Sequence, residues 1–283
     1  MAYEQRLELY KKIEKIRDNP LLVYITSIRR FAGAQMAQDV VQEFIKHIFL
    51  IPKDKTEIDI LIVSNGGDPL TACRIISLLR ERFKKVNALI PYVAYSAATL
   101  LALGADRIIM HPFSNLGPID PQLTYYKNNK IEDFSSEDLR YFFEYIKSDV
   151  GITDQGFLQI CFELFSNEVG PIMIGASKRG SQLTLSMGEK LLSLHMKDKN
   201  KAKAIAEKLN KSYYSHGYPV GKAEAKEIGL QIESNDNEDL DKLMWLVWED
   251  LRDEMECDKP FSPVDIVLNN NITSLLLSPI PQA

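Results

Sequence analysis

The chain has 283 residues, of which 45% are hydrophobic and 26% charged, and its formal net charge is −5 at pH 7. These values are those of an ordinary globular protein with a substantial core. The mild negative charge argues against a large basic surface that would bind nucleic acid or an anionic membrane. The cysteines are few and scattered, which predicts neither a disulfide framework nor a zinc site and favours a reducing, cytoplasmic location: Cys73, Cys161 and Cys257.

The first 20 residues predict an amphipathic helix that ends at Asn19-Pro20. Its apolar residues recur at helical spacing, at Leu7, Tyr10, Ile13 and Ile16. The stretch lacks the apolar core of a signal peptide and alternates acids with bases. We expect this helix to pack on the protein or on a neighbouring subunit.

Residues 21–110 alternate between strand and helix patterns, as in proteins with a parallel sheet. Buried β-branched runs predict strands at 21–27, at 58–63, from Val86 onward and at 107–110. Helices are predicted at 37–51, at 68–82 and between Ser96 and Gly104. The fold class predicted from these units is α/β. Residues 86–105 carry no charge, but Pro91 and Gly104 favour a buried strand and helix over a membrane span.

Two turns in this region contain residues suited to acyl-transfer chemistry. The strand at 58–63 runs into Asn65-Gly66-Gly67-Asp68, where the absence of Cβ atoms lets a substrate approach the backbone N–H groups. Ser96 follows at the next predicted strand-to-helix junction. Because ligands of parallel sheets bind beyond the carboxyl ends of the strands, both turns are expected at one edge. Ser96 is the predicted nucleophile, and Gly66, Gly67 and Ala97 are the predicted oxyanion-binding residues.

The strings SNGGDPLTA, AYSAATLLALGADRIIM and LGPIDPQ together resemble the SDH (serine dehydrogenase proteinase) family of Clp-fold serine peptidases. These are relatives of signal peptide peptidase A and, more remotely, of ClpP and the crotonases. The resemblance covers roughly residues 28–125, with weaker similarity at 215–230. It implies a ClpP/crotonase-like fold, serine peptidase activity and self-assembly. No dinucleotide fingerprint supports the word "dehydrogenase" in the family's name, and no cofactor or metal is implied.

The sequence leaves open which group removes the proton from Ser96. Asp120, held between Pro118 and Pro121, is predicted to orient a base, to bind a substrate group or to stabilise a turn. His111 and His216 are alternatives for the base, although a lone histidine is more often structural.

The related signal peptide peptidases use a Ser-Lys pair, and this resemblance favours a lysine base. Lys147 follows Ser96 at the separation that this resemblance implies, whereas Lys178 falls later, in a segment where the SDH family has a basic residue before a long helix. A desolvated lysine loses its proton readily enough to act near neutral pH. The sequence alone does not distinguish Lys178 from Lys147 as the base.

The predicted organisation is an amino-terminal helix (1–20), a Clp/crotonase-like peptidase domain (21–235) and a carboxyl-terminal helix with an extended tail (236–283). The tail contains the run Ser274-Leu275-Leu276-Leu277-Ser278 and is predicted to be extended or to add to a neighbouring subunit.

The function predicted from these features is a serine endopeptidase that acts through an acyl-enzyme, with a peptide or protein as substrate and a homo-oligomer as its assembly. No transmembrane segment and no nucleic-acid partner are predicted, and peripheral membrane association is compatible with the sequence. Two alternatives remain: an acyl-CoA enzyme of the crotonase type and a noncatalytic Clp-fold assembly protein.

Overall fold

A computed structural model describes residues 3–127, 130–234 and 237–262 of the chain. Its helices are α1 (Tyr3–Arg17), α2 (Val40–Leu50), α3 (Pro69–Arg82), α4 (Ala97–Leu103), α5 (Ser136–Ser148), α6 (Gln155–Val169), α7 (Pro171–Leu192), α8 (Lys199–Lys211), α9 (Lys222–Glu227) and α10 (Glu238–Glu254). Its strands are β1 (Leu21–Ile25), β2 (Glu57–Val63), β3 (Lys85–Ile90), β4 (Val93–Ala94), β5 (Arg107–Met110), β6 (Asn115–Leu116), β7 (Leu123–Lys127), β8 (Lys130–Phe134) and β9 (Val220–Gly221).

The centre of the molecule is a four-stranded sheet in the order β1-β2-β3-β5, and all its pairs are parallel. The apolar residues of β2 alternate between its two faces. Ile58, Ile60 and Ile62 join the larger core cluster, whereas Leu61 joins a cluster on the opposite face. Because both faces are covered, the strands are nearly continuous apolar runs, which is the pattern of a parallel sheet. The predicted α/β class is confirmed.

Helices cover the two faces of this sheet in separate layers. The larger cluster includes buried residues of α2, α3, α4, α7 and α8. On the other face, α1 and α10 contribute Ile13 and Met244 to a cluster with Leu61, Leu89 and Ile109 of the sheet. The two end helices predicted from the sequence therefore pack on the sheet itself.

Asp59 is fully buried near the amino ends of the strands and has several polar partners. It accepts hydrogen bonds from Arg17 Nε (2.8 Å), Asn87 Nδ2 (2.8 Å) and Asn19 Nδ2 (3.0 Å). A buried carboxylate needs such partners because desolvation penalises an unpaired charge. This network ties the end of α1 to the sheet.

A small second sheet has the strand order β4-β6-β9. It positions the segments that carry Asp120 and His216 relative to Ser96. β6 pairs with β9 antiparallel, with Leu116 opposite Val220. If this register is continued four residues beyond Leu116 and four residues before Val220, Asp120 lies opposite His216. Two segments about a hundred residues apart in sequence are therefore brought together beside the end of β4.

The structure differs from the predictions mainly after residue 122. The hairpin β7-β8 and helix α6 are not predicted from the sequence. The predicted tail from residue 263 onward lies outside the described residues. In the part of the chain that the structure covers, no helix combines the length and the apolar character that a membrane span requires.

Candidate active site

Ser96 occupies a strained turn between β4 and α4. Its backbone has φ 52° and ψ −117°, a conformation that residues with a Cβ atom rarely adopt. A strained strand-to-helix turn of this kind projects a serine hydroxyl away from the backbone. Although Ser96 is the N-cap residue, its hydroxyl caps no N–H group of α4 among the described residues. The hydroxyl is therefore not committed to the helix.

The Gly66-Gly67 turn packs directly against the Ser96 turn. A Cβ atom on Gly66 would lie 2.8 Å from the Cβ atom of Ser96 and 2.9 Å from the nitrogen of Ala97. Real Cβ atoms do not approach this closely, and Gly66 also has a φ of 100°. Glycine at this position is therefore required for the close approach of the two turns.

The second glycine is held by backbone pairing with Met36. Met36 N–H donates to Gly66 O (2.7 Å), and Asp68 N–H donates to Met36 O (2.8 Å). These bonds use the groups on either side of Gly67 and leave its own N–H outside the pairing. A Cβ atom on Gly67 would lie 2.4 Å from Met36 O, so only glycine fits here.

The N–H groups of Gly67 and Ala97 belong to residues that line one pocket with Ser96. This arrangement matches an oxyanion hole, in which two backbone donors flank the nucleophile. The N–H of Gly66 is instead donated to Ser64 Oγ (3.0 Å), which in turn accepts from Thr26 Oγ1 (2.8 Å). Gly66 therefore shapes the turn, and Gly67 and Ala97 remain the candidate donors.

The pocket at Ser96 has a volume of about 540 Å³ and a mostly apolar lining. A volume of this size lies in the range of about 300–1,000 Å³ that ligand sites usually have. The lining comes from the glycine turn, the start of α4, the loop and strand after β6, the middle of α7 and the turn after α8: Gln35, Asn65, Gly67, Pro69, Ser96, Ala97, Leu100, Ile119, Pro121, Gln122, Leu123, Thr124, Gly180, Leu183, Thr184 and His216.

His216 reaches this pocket from the turn between α8 and β9. Its Nδ1 atom lies 2.9 Å from Asp120 Oδ1, and the other carboxylate oxygen accepts from Gln122 Nε2 (2.8 Å). The Asp120 side chain is only 11% exposed, whereas His216 is 31% exposed. When Nδ1–H donates to Asp120, Nε2 is left as the proton acceptor of a neutral imidazole. The pair has the base-and-orienter arrangement of a serine hydrolase triad.

The loop that carries Asp120 is fixed from two sides. The Thr99 hydroxyl, which is fully buried on α4, donates to Ala94 O (2.7 Å) at the end of β4 and accepts from Gly117 N–H (3.0 Å). Ile119 N–H donates to Leu209 O (2.9 Å) at the end of α8. Thr99 thus links the helix that begins at Ser96 to the loop that positions Asp120.

Both predicted lysine bases line a different cavity from Ser96. Lys147 on α5 and Lys178 on α7 contribute to a space of about 710 Å³, together with Phe143, Ile174 and Lys211. Gly180 and Leu183, which follow Lys178 by two and five residues on α7, line the Ser96 pocket instead. The structure therefore brings the predicted Ser96, Gly67, Ala97 and Asp120 together and leaves the lysines on the other side of α7.

His111 lies in an aromatic cluster rather than in the Ser96 pocket. Its ring stacks on Trp245 at 5.2 Å between centroids, and its Nδ1 atom accepts from Phe113 N–H (3.2 Å). Burial lowers the pKa of His111. This histidine has the surroundings of a structural core residue.

The sequence analysis favours a lysine as the base and gives His216 only as an alternative. His216 is far from Ser96 along the chain, and catalytic partners need only be neighbours in space. The available signal was the weaker family similarity at residues 215–230, together with an aspartate that had no assigned partner.

Comparisons with known proteins identify what this chain resembles. The family model described as "ClpP-like SDH-type serine proteinase" matches residues 6–137, which confirms the resemblance to the SDH family. The matched region contains Gly67, Ser96 and Asp120, whereas His216 lies beyond it.

Two proteins of Methanocaldococcus jannaschii, both described as uncharacterized, are similar over most of this chain. They are 27% and 30% identical over 240 and 214 residues, which cover 82% and 75% of this chain and 72% and 65% of their own lengths. Two solved structures of variants of the 1510-N membrane-bound stomatin-specific protease, one of them with a substrate peptide, have TM-scores of 0.46 and 0.45. They are 18% and 17% identical and cover 78% and 77% of this chain and 84% and 77% of theirs.

Proposed function

We propose that this protein is a serine peptidase in which Ser96 is the nucleophile, His216 the general base and Asp120 the group that orients His216. The observation that carries the proposal is that one pocket is lined by Ser96 on its strained turn, by Gly67 and Ala97, and by His216, which is bound to the buried Asp120. The family match at residues 6–137 supports the same class of reaction.

In the first half of the reaction, Ser96 Oγ attacks the carbonyl carbon of a peptide bond while His216 Nε2 takes the hydroxyl proton. The negative charge that develops on the carbonyl oxygen is stabilised by the N–H groups of Gly67 and Ala97. Asp120 stabilises the imidazolium through Nδ1–H. His216 then protonates the leaving amine, and the acyl group stays on Ser96.

In the second half, water enters the pocket and His216 removes one of its protons. The resulting hydroxide attacks the acyl carbon, and the same oxyanion donors stabilise the second tetrahedral intermediate. Its collapse releases the new carboxylate and returns the proton to Ser96. No redox step or further reactant is needed, since water is the second substrate.

We assign the base to His216 rather than to a lysine because of where the side chains lie. A general base must come within hydrogen-bond reach of the proton it removes. His216 lines the Ser96 pocket, whereas Lys178 and Lys147 line the cavity between α5, α7 and α8. Oligomer formation and a cytoplasmic location stay predictions.

Hydrolysis of an unfolded protein such as casein tests the proposal. We expect cleavage by the wild-type chain and a loss of at least about 10³-fold in Ser96→Ala, since removing a nucleophile leaves only residual catalysis. Cleavage by Ser96→Ala at the wild-type rate would contradict the peptidase assignment. If Ser96→Ala still turns over a thioester, the acyl-CoA alternative is favoured. If neither the wild type nor Ser96→Ala is active, the assembly alternative is favoured.

A further inference from the structure

The turn that carries His216 is closed by a pair of tyrosines, one on each side of it. The rings of Tyr213 and Tyr218 stack with 4.5 Å between their centroids and 28° between their planes. Inside the turn, Tyr218 N–H donates to Ser215 O (3.0 Å), and Gly217 N–H donates to Ser215 Oγ (3.3 Å). The chain therefore folds back on itself around His216, and the stacked rings lie where the turn begins and ends.

Glu224 of α9 fixes this tyrosine pair. The Tyr213 hydroxyl donates to Glu224 Oε1 (2.9 Å), and the Tyr213 side chain packs against the larger core cluster. Desolvation and the hydrogen bond to Glu224 raise the pKa of Tyr213, and the charge of Glu224 raises the pKa of Tyr218. Both hydroxyls therefore stay protonated near neutral pH. Because α9 follows β9 directly, the hydrogen bond links the chain before the turn to the strand after it.

The ring of His216 has few contacts of its own. Among the described residues, the Asp120 carboxylate is its one hydrogen-bond partner, and 31% of the His216 side chain is exposed. The loop that carries Asp120 is held separately, by Thr99 and by Leu209. The distance between His216 Nδ1 and the carboxylate therefore depends on where the backbone of the turn lies.

We propose that Tyr213 and Glu224 are positioning residues for the general base. Their hydrogen bond and the tyrosine stack hold the turn where His216 Nδ1–H meets Asp120, which leaves Nε2 to accept the proton of Ser96. This role rests on the proposed function, because it concerns the base of that site. Neither Tyr213 nor Glu224 is among the described residues that line the Ser96 pocket, so we assign them an effect through His216 rather than a contact with substrate.

The tautomer of His216 tests this role without any need for catalysis. Nitrogen NMR of the full chain with isotope-labelled histidine, at a pH where the imidazole is neutral, is expected to show His216 in the Nδ1–H form. His216→Gln identifies its signals among those of the four histidines. Tyr213→Phe keeps the ring and removes the donor, so we expect exchange between the two tautomers in this variant. An unchanged Nδ1–H form in Tyr213→Phe would overturn the proposal.

Tyr214→Phe is the matched control, because it removes the same hydroxyl from the neighbouring tyrosine. Tyr214 is 88% exposed, and its ring contacts Tyr141 with 5.6 Å between centroids. Its hydroxyl has no hydrogen bond within the part of the chain that the structure describes. The tautomer of His216 and the value of kcat are expected to stay as in the wild type. An equal effect of the two tyrosine variants on the tautomer would overturn the proposal.

The active chain allows a second measurement. We expect Tyr213→Phe to lower kcat for a reporter peptide about tenfold with little change in KM, since the base acts in the transition state and not in substrate binding. Glu224→Ala is expected to lower kcat by a similar factor. Glu224→Gln is expected to lower it less, because the amide oxygen still accepts from the tyrosine hydroxyl. The double variant of Tyr213→Phe with Glu224→Ala is expected to be no slower than Glu224→Ala, since both changes remove one hydrogen bond.

A hydrogen bond that only stabilises the fold gives a different result. Tyr213→Phe and Glu224→Ala would then unfold at lower urea concentration but keep the wild-type kcat when folded, which would overturn the proposal. Independent, additive losses of kcat in the double variant would overturn it as well. If the wild-type chain has no peptidase activity, the proposed function fails, and the tautomer measurement still decides whether Tyr213 positions His216.

Discussion

At the scale of single residues, the site depends on the contact between Gly66 and Ser96. Both residues adopt positive φ angles, and their turns meet at distances that leave no room for a Cβ atom on Gly66. The position of the nucleophile is therefore determined by a residue that takes no part in proton transfer.

Gly66→Ala is expected to reduce peptidase activity strongly and to lower the free energy of unfolding by about 1–3 kcal/mol, because the new methyl group clashes with Ser96 and the backbone is strained. Gly175→Ala is the matched control. Gly175 lies in α7 with open space around it, so alanine there is expected to stabilise the helix by about 0.5–1 kcal/mol. Urea unfolding and casein hydrolysis of both variants measure the two effects. Full activity in Gly66→Ala would contradict this account of the turn.

At the scale of secondary structure elements, the end helices α1 and α10 form one layer over the sheet. Arg6 of α1 pairs with Asp250 and Glu254 of α10, and the Asp250 side chain is almost completely buried. Removal of Arg6 takes the guanidinium away from a buried carboxylate, and the loss of one partner from a buried ion pair destabilises the fold.

Arg6→Ala is expected to lower the free energy of unfolding by about 2–3 kcal/mol, since the Asp250 carboxylate loses its guanidinium partner. Lys11→Ala on the same helix removes an exposed ion pair with Glu8 and is expected to leave stability unchanged within error. Urea denaturation of the two variants beside the wild type checks this. Equal stability of Arg6→Ala and Lys11→Ala would show that the layer does not depend on this contact.

The sequence predicted the elements whose patterns are local. The strands at 58–63 and 107–110 and the helix that ends at Arg82 correspond closely to β2, β5 and α3. Gly67, Ser96 and Asp120 were predicted as site residues because each follows or lies in a recognisable turn. These predictions needed only periodicity and turn chemistry.

His216 and α6 could not be predicted in the same way. The contact between His216 and Asp120 arises from the antiparallel pairing of β6 with β9, two strands of two residues each, and such short strands have no readable period. In α6, Phe157, Ile160 and Leu164 are exposed although they are apolar, so burial along this helix does not follow its hydrophobic pattern.

At the scale of the whole molecule, the buried His111 and the half-buried His195 connect stability to pH. Burial lowers the pKa of His111, and it also lowers the pKa of His195, whose Nε2 atom lies 3.0 Å from Leu103 O. The unfolded chain binds protons at these positions more readily than the folded chain does. Their contribution to stability is therefore fully present above about pH 6.5 and is lost as the pH falls below that value.

We expect the free energy of unfolding to fall between pH 7 and pH 5, by at most about 1.4 kcal/mol per pH unit for each histidine. His111→Phe keeps an aromatic ring against Trp245 and removes the titrating group, so its stability is expected to change less over this range. Urea denaturation at several pH values compares the two chains. Parallel curves for wild type and His111→Phe would show that His111 does not contribute to the pH dependence.

The most direct test of the central claim, that Ser96 acts with His216 and Asp120, is the initial rate of casein hydrolysis by single-residue variants. His216→Ala is expected to lose at least about 10³-fold, and Asp120→Asn is expected to be strongly impaired because it no longer holds the required imidazole tautomer. Lys178→Ala and Lys147→Ala, whose side chains line the other cavity, are expected to retain activity close to that of the wild type. Wild-type activity in His216→Ala, together with an inactive Lys178→Ala or Lys147→Ala, would contradict the claim and assign the base to a lysine.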